Sequence, residues 1–72
     1  MMAEKINITT PFIKLDSFLK LSGVVSTGGE AKALIKDSQI LVNNEACLMR
    51  GKKLYPGYLI RALEKDYEVI SL

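Results

Sequence analysis

The sequence predicts an α+β domain with the order β, α, α and then three or four strands. Three observations carry that expectation. Apolar residues recur at helical spacing in two stretches, Leu15/Phe18/Leu19 and Ala31/Leu34/Ile35, separated by Gly23. Residues 5–9, Lys-Ile-Asn-Ile-Thr, alternate polar with apolar as a half-buried strand does. The second half then breaks into short β-prone runs punctuated by turn residues.

The first strand ends at Thr10-Pro11, because proline lacks the amide that a ladder needs. The first helix carries Asp16 in its first turn, where a carboxylate complements the dipole, and Gly23 closes it. Val24 and Val25 fill the corner between the helices. Thr27 starts the second helix with Glu30 three residues on, the spacing of a capping box, in which each side chain satisfies the other's backbone amide. Lys32 and Lys36, four apart, share a face away from its apolar stripe. Ser38-Gln39 ends the helix, and Ile40-Leu41-Val42 is a strand. Asn43-Asn44 suits a two-residue hairpin turn, since asparagine tolerates positive φ. A two-residue turn places Ile40 opposite Cys47, on the face shared with Val42. Arg50-Gly51-Lys52-Lys53 is a basic loop leading to Leu54, and Tyr55-Pro56-Gly57 is a turn. Residues 58–62 and 67–72 read as closing strands around the polar Glu64-Lys65-Asp66.

Seventy-two residues make one domain over 1–72, and a chain this short buries only about 60% of its unfolded surface. Hydrophobic residues are 49%, too many for a disordered tail. No apolar run approaches the roughly 20 residues of a membrane span. The leader, residues 1–10, contains an acid and alternates in character, unlike a signal peptide. A cytoplasmic protein with no membrane association is expected. One cysteine and no histidine argue against a disulfide framework and a zinc site. No cofactor or metal is expected.

Net charge is only +2, but its distribution is uneven. Between residues 14 and 53 lie seven bases (Lys14, Lys20, Lys32, Lys36, Arg50, Lys52, Lys53) against four acids (Asp16, Glu30, Asp37, Glu45). The tail has two bases against three acids. A local positive excess draws a phosphate backbone. Catalysis is not expected, because the acids are scattered and no histidine can activate a serine or cysteine. Gly28-Gly29 match neither the dinucleotide nor the Walker pattern and read as a helix start, whose open amides could still receive a phosphate. Cys47 reads as a small buried hydrophobe and the tyrosines as packing residues, with Phe12 the aromatic closest to solvent.

Lys14-Leu15-Asp16, Gly23, Thr27, Glu30-Ala31, Leu34-Ile35, Ile40, Val42-Asn43, Leu54 and Pro56-Gly57 together resemble the S4 RNA-binding domain, over roughly residues 12–58. The short leader resembles that of the small stand-alone S4-like proteins of bacteria. The resemblance implies two helices packed against a small, mostly antiparallel twisted sheet of four to five strands. It also implies non-catalytic binding of structured RNA, ribosomal or transfer RNA. Four positions depart from the family pattern: Gly28 stands for an arginine, Ser38 and Asn44 for glycines, and Tyr58 for an aspartate. Carried over position by position, the RNA contacts are Lys14, Thr27, Gly28, Lys32, Lys36 and Asn43, flanked by Arg50, Lys52 and Lys53. The alternatives are a protein-interaction adaptor in a ribosome-assembly or replication complex, and a small DNA-binding protein.

Overall fold

The computed structural model of the chain describes residues 3–71. Its elements are β1 (Glu4–Ile8), β2 (Ile13–Lys14), α1 (Leu15–Leu21), α2 (Gly28–Lys36), β3 (Ile40–Val42), β4 (Glu45–Ala46), β5 (Lys53–Leu54), β6 (Leu59–Ala62) and β7 (Lys65–Ser71). Five strands form one sheet in the order β1-β7-β6-β3-β4, while β2 and β5 pair separately. The α+β class expected from the sequence is the observed one, with two helices on a mixed sheet.

Period-two alternation sorts the side chains of the sheet. Ile40 and Val42 of β3, Ile60 and Ala62 of β6, and Tyr67 and Val69 of β7 point into the core. Against them pack Leu15, Phe18 and Leu19 of α1 with Ala31 and Ile35 of α2. Phe18 meets Tyr67 edge-on at 6.2 Å between ring centroids, which ties α1 to β7. Leu34, expected in the buried stripe, is only partly buried at its margin. Every ladder of the large sheet is antiparallel except β1–β7, which runs parallel from Glu4 opposite Tyr67 to Ile8 opposite Ser71. The first and last strands of the described chain are therefore neighbours.

The turns follow from local chemistry. Gly23 at φ +84° ends α1. Tyr58 N–H donates to the Tyr55 carbonyl at 3.0 Å across Pro56-Gly57, with Gly57 at φ +97°, the dihedral a type II turn requires at that position. Asn43 and Asn44 both have positive φ, +52° and +70°, and form the expected two-residue turn. Ile40 then faces Cys47, whose amide donates to the Ile40 carbonyl at 3.1 Å; Cys47 itself is half-buried.

The last hairpin differs from the expectation. Its turn is Leu63-Glu64, at φ +51° and +64°, and Lys65 and Asp66 already belong to β7. Their charges are accommodated by ion pairing along the strands: Asp66 accepts from Arg61 at 2.9 Å and Lys65 reaches Glu4 at 3.3 Å. Leu72, the last residue of the expected strand, and Met1 and Met2 of the leader lie outside the described residues.

At the end of α2, Ser38 sits at φ +58°. Its amide donates to the Ile35 carbonyl and that of Gln39 to Leu34, each at 3.1 Å, the bond pair of a Schellman motif. A side chain in this conformation costs on the order of 1 kcal/mol, a strain that glycine relieves. Ser38→Gly is expected to raise stability by about 0.5–1 kcal/mol, read as a higher urea midpoint at unchanged slope. A lower midpoint would contradict the assigned strain.

Candidate nucleic-acid interface

The start of α1 has no side-chain cap. Lys14, at its N-cap, is extended and offers none. The first helical amides are instead satisfied by the backbone of the basic loop: Leu15 N–H donates to the Lys52 carbonyl at 2.9 Å and Asp16 N–H to the Arg50 carbonyl at 3.0 Å. Two residues on, β2 and β5 pair antiparallel, with Ile13 opposite Leu54 and Lys14 opposite Lys53. Leu54 is fully buried and anchors the ribbon from below. With their carbonyls committed to α1, Arg50 and Lys52 leave their side chains in solvent.

Lys14 and Lys53 are thus direct cross-strand neighbours of like charge, an arrangement that costs up to about 1 kcal/mol unless an anion covers it. The Lys53 ammonium lies 4.9 Å from the centre of the Phe12 ring, which offsets part of that cost. Phe12 continues into an aromatic run through Tyr55, 5.9 Å away, to Tyr58, 5.7 Å further on.

Lys32 and Lys36 project from the exposed side of α2. Together with Arg50 they surround a hollow floored by Ile35 and Leu48. A second hollow, on the other side of Leu48, is lined by Asn43, Glu45, Lys52 and Tyr58 among others. The structure therefore brings Arg50 to the α2 lysines, Lys14 to Lys53, and Lys52 to Asn43. The ion pairs found among the described residues, Arg61–Asp66 and Lys65–Glu4, involve none of these six bases.

Thr27, Gly28 and Asn43 have different surroundings. Thr27 Oγ1 accepts from the Glu30 amide at 3.2 Å, and the Glu30 carboxylate accepts from the amides of Ser26 and Thr27 at 2.9 and 3.2 Å. The capping box is complete, and its carboxylate occupies the helix end whose amides would otherwise be open to a phosphate. Neither Thr27 nor Gly28 lines the hollow beside Arg50; Gly28 is exposed at the opposite end of α2 from Lys36. Asn43 Oδ1 accepts from the Leu59 amide at 2.9 Å, and Asn43 N–H donates to the Leu59 carbonyl at 2.7 Å, which pins the β3–β4 turn to β6.

Sequence reasoning overlooked Leu48 and Met49, adjacent in the chain and 63% and 66% exposed amid the loop bases. Their residue types carry no signal of that exposure, which follows from the path of the loop that holds them. Among the described residues no group of three or more His, Cys, Asp or Glu side chains could hold a metal ion. No helix among the described residues is long and apolar enough to cross a membrane.

A family model described as S4 domain matches residues 6–70. A curated protein of Bacillus subtilis (strain 168), named "Probable ribosome maturation protein RlbA", is 44% identical over 59 residues, covering 82% of this chain and 83% of its own.

Thr27→Ala removes the acceptor for the Glu30 amide, and Asn43→Ala removes the acceptor for Leu59 while leaving a left-handed backbone to alanine. Each variant is expected to lose about 1 kcal/mol in chemical denaturation. Midpoints equal to that of the parent protein would show that these bonds contribute nothing to the fold.

Proposed function

This chain belongs to the S4 domain family, and we propose that it binds structured RNA, with ribosomal RNA as its target class, as one non-catalytic module over its whole length. The observation that carries the proposal is the separation of charge. Arg50 lines one hollow with Lys32 and Lys36, Lys14 pairs across the strands with Lys53, and none of these five bases, nor Lys52, is neutralised by an ion pair among the described residues. The name of the Bacillus subtilis relative, a ribosome maturation protein, supports a ribosomal target.

The chemistry follows from the residue types. Arg50 grips a phosphate through two parallel N–H donors, whereas the lysines act as point charges that track the backbone. Displacement of condensed counterions supplies the affinity, with a contribution to the salt slope of about 0.7–0.9 per phosphate neutralised. A surface read mainly through charge suits folded RNA, recognised by its shape and 2′-hydroxyls. Loss of 2′-hydroxyl contacts is what separates this reading from the small DNA-binding protein. Thr27, Gly28 and Asn43 contribute through the backbone they shape, and Lys52 extends the contact toward the second hollow.

Fluorescence titration of the protein with ribosomal RNA fragments, transfer RNA and matched duplex DNA at 50–200 mM salt tests the proposal. Affinity for ribosomal RNA should fall by about 10³-fold across that range, given six phosphate contacts. Lys32→Glu/Lys36→Glu should weaken binding by more than about tenfold and flatten the slope by about two. Salt-independent affinity, equal affinity for DNA, or an unaffected double variant would each overturn it.

A further inference from the structure

We propose that the hollow between α2 and residues 48–50 receives a single unpaired nucleotide of the RNA, its base on Leu48 and its phosphates on Lys32, Lys36 and Arg50. The inference rests on the RNA-binding reading above and adds to it what kind of RNA feature is recognised.

The hollow is an open depression of about 320 Å³, at the small end of sites that accept small-molecule groups. Its lining joins two chemistries. The floor is hydrocarbon, from the exposed Leu48 with the core residue Ile35 beneath it, and the lysine stems extend it, as long basic side chains do when they keep their heads in water. The rim carries three cations and no carboxylate. The other hollows differ: one includes Glu45, and one includes Asp66, which is engaged with Arg61. A phosphate alone would leave the hydrocarbon floor bare, and an apolar peptide would leave three cations uncovered. A nucleotide matches both parts, because a base presents a π-face to apolar side chains while its phosphates meet the cations.

Leu48 is also held in place. On one side the Cys47 amide donates to Ile40, and on the other the Arg50 carbonyl accepts from Asp16 and the Lys52 amide donates to Met49 at 3.1 Å. The loop thus presents Leu48 to solvent from a pinned backbone and loses little entropy on binding. Bases within a duplex have both faces stacked, so only a bulged or splayed nucleotide can fill the site.

The test uses the full chain and three RNA hairpins: a perfect stem, the same stem with one bulged adenosine, and the stem with an abasic residue at the bulge. Wild-type protein should prefer the bulged hairpin by about tenfold, the lower end of what stacking one base contributes. The abasic hairpin should bind like the perfect stem. Leu48→Ala, at an exposed position that leaves the core intact, should lose the preference while keeping perfect-stem affinity within about twofold, and Leu48→Met should retain it. Equal wild-type affinity for the bulged and abasic hairpins would overturn the nucleotide site and leave the RNA-binding reading standing. A full preference in Leu48→Ala would also overturn it. Absence of salt-sensitive binding to all three hairpins would overturn both proposals.

Discussion

Two backbone hydrogen bonds, from the amides of Leu15 and Asp16 to the carbonyls of Lys52 and Arg50, set the geometry on which the basic surface depends. A helix start leaves amides that must find acceptors, and here no side chain at the N-cap supplies them. The loop backbone does so instead. That exchange docks a four-residue segment rich in positive charge against α1, continues into the Ile13–Leu54 and Lys14–Lys53 pairs, and brings Arg50 within reach of α2. The loop is consequently part of the folded framework, and its side chains need little further ordering when an anion arrives.

The distribution of charge follows the same division. On the β6–β7 hairpin and β1, acids and bases neutralise one another as Arg61–Asp66 and Lys65–Glu4, partly exposed pairs that contribute little to stability. Around α2 and the loop the bases remain uncompensated, and Lys14 even faces Lys53. A fold optimised for stability alone would place a carboxylate there; a surface that meets phosphate would not. Glu30 and Asp16, the acids within these helices, are turned to local backbone work: Glu30 caps α2 and Asp16 accepts from the Ser17 amide at 2.7 Å, while Asp37, at the C-cap of α2, is in none of the ion pairs found among the described residues.

Much of the fold was legible in the residues. The stripes Leu15/Phe18/Leu19 and Ala31/Ile35, the Thr27–Glu30 capping box and the Asn43-Asn44 turn each have a local cause, and each was found where spacing placed it. What escaped lacks such a cause. Strands of two residues, β2 and β5, are shorter than any period can reveal, and their pairing is long-range. The Leu63-Glu64 turn takes positive φ without glycine or asparagine, so no residue type announced it. The parallel β1–β7 ladder joins opposite ends of the chain.

For the site, residue type pointed to the bases, but their grouping required the loop to fold back on α1. Thr27 and Asn43 entered as contacts through the family resemblance; the structure gives the side chains of both internal partners. Nothing in the sequence singles out Leu48 and Met49, and only the path of the loop shows them facing solvent.

RNA is proposed to sit on the surface made by α2 and residues 48–53. Titrating isotopically labelled protein with a ribosomal RNA hairpin and following backbone amide shifts by NMR tests it directly. The account predicts shifts concentrated on Lys32, Lys36 and residues 48–53, with Lys14 affected through its ladder to Lys53. Shifts concentrated instead on the solvent face of the sheet, around Leu59 and Arg61, would contradict it.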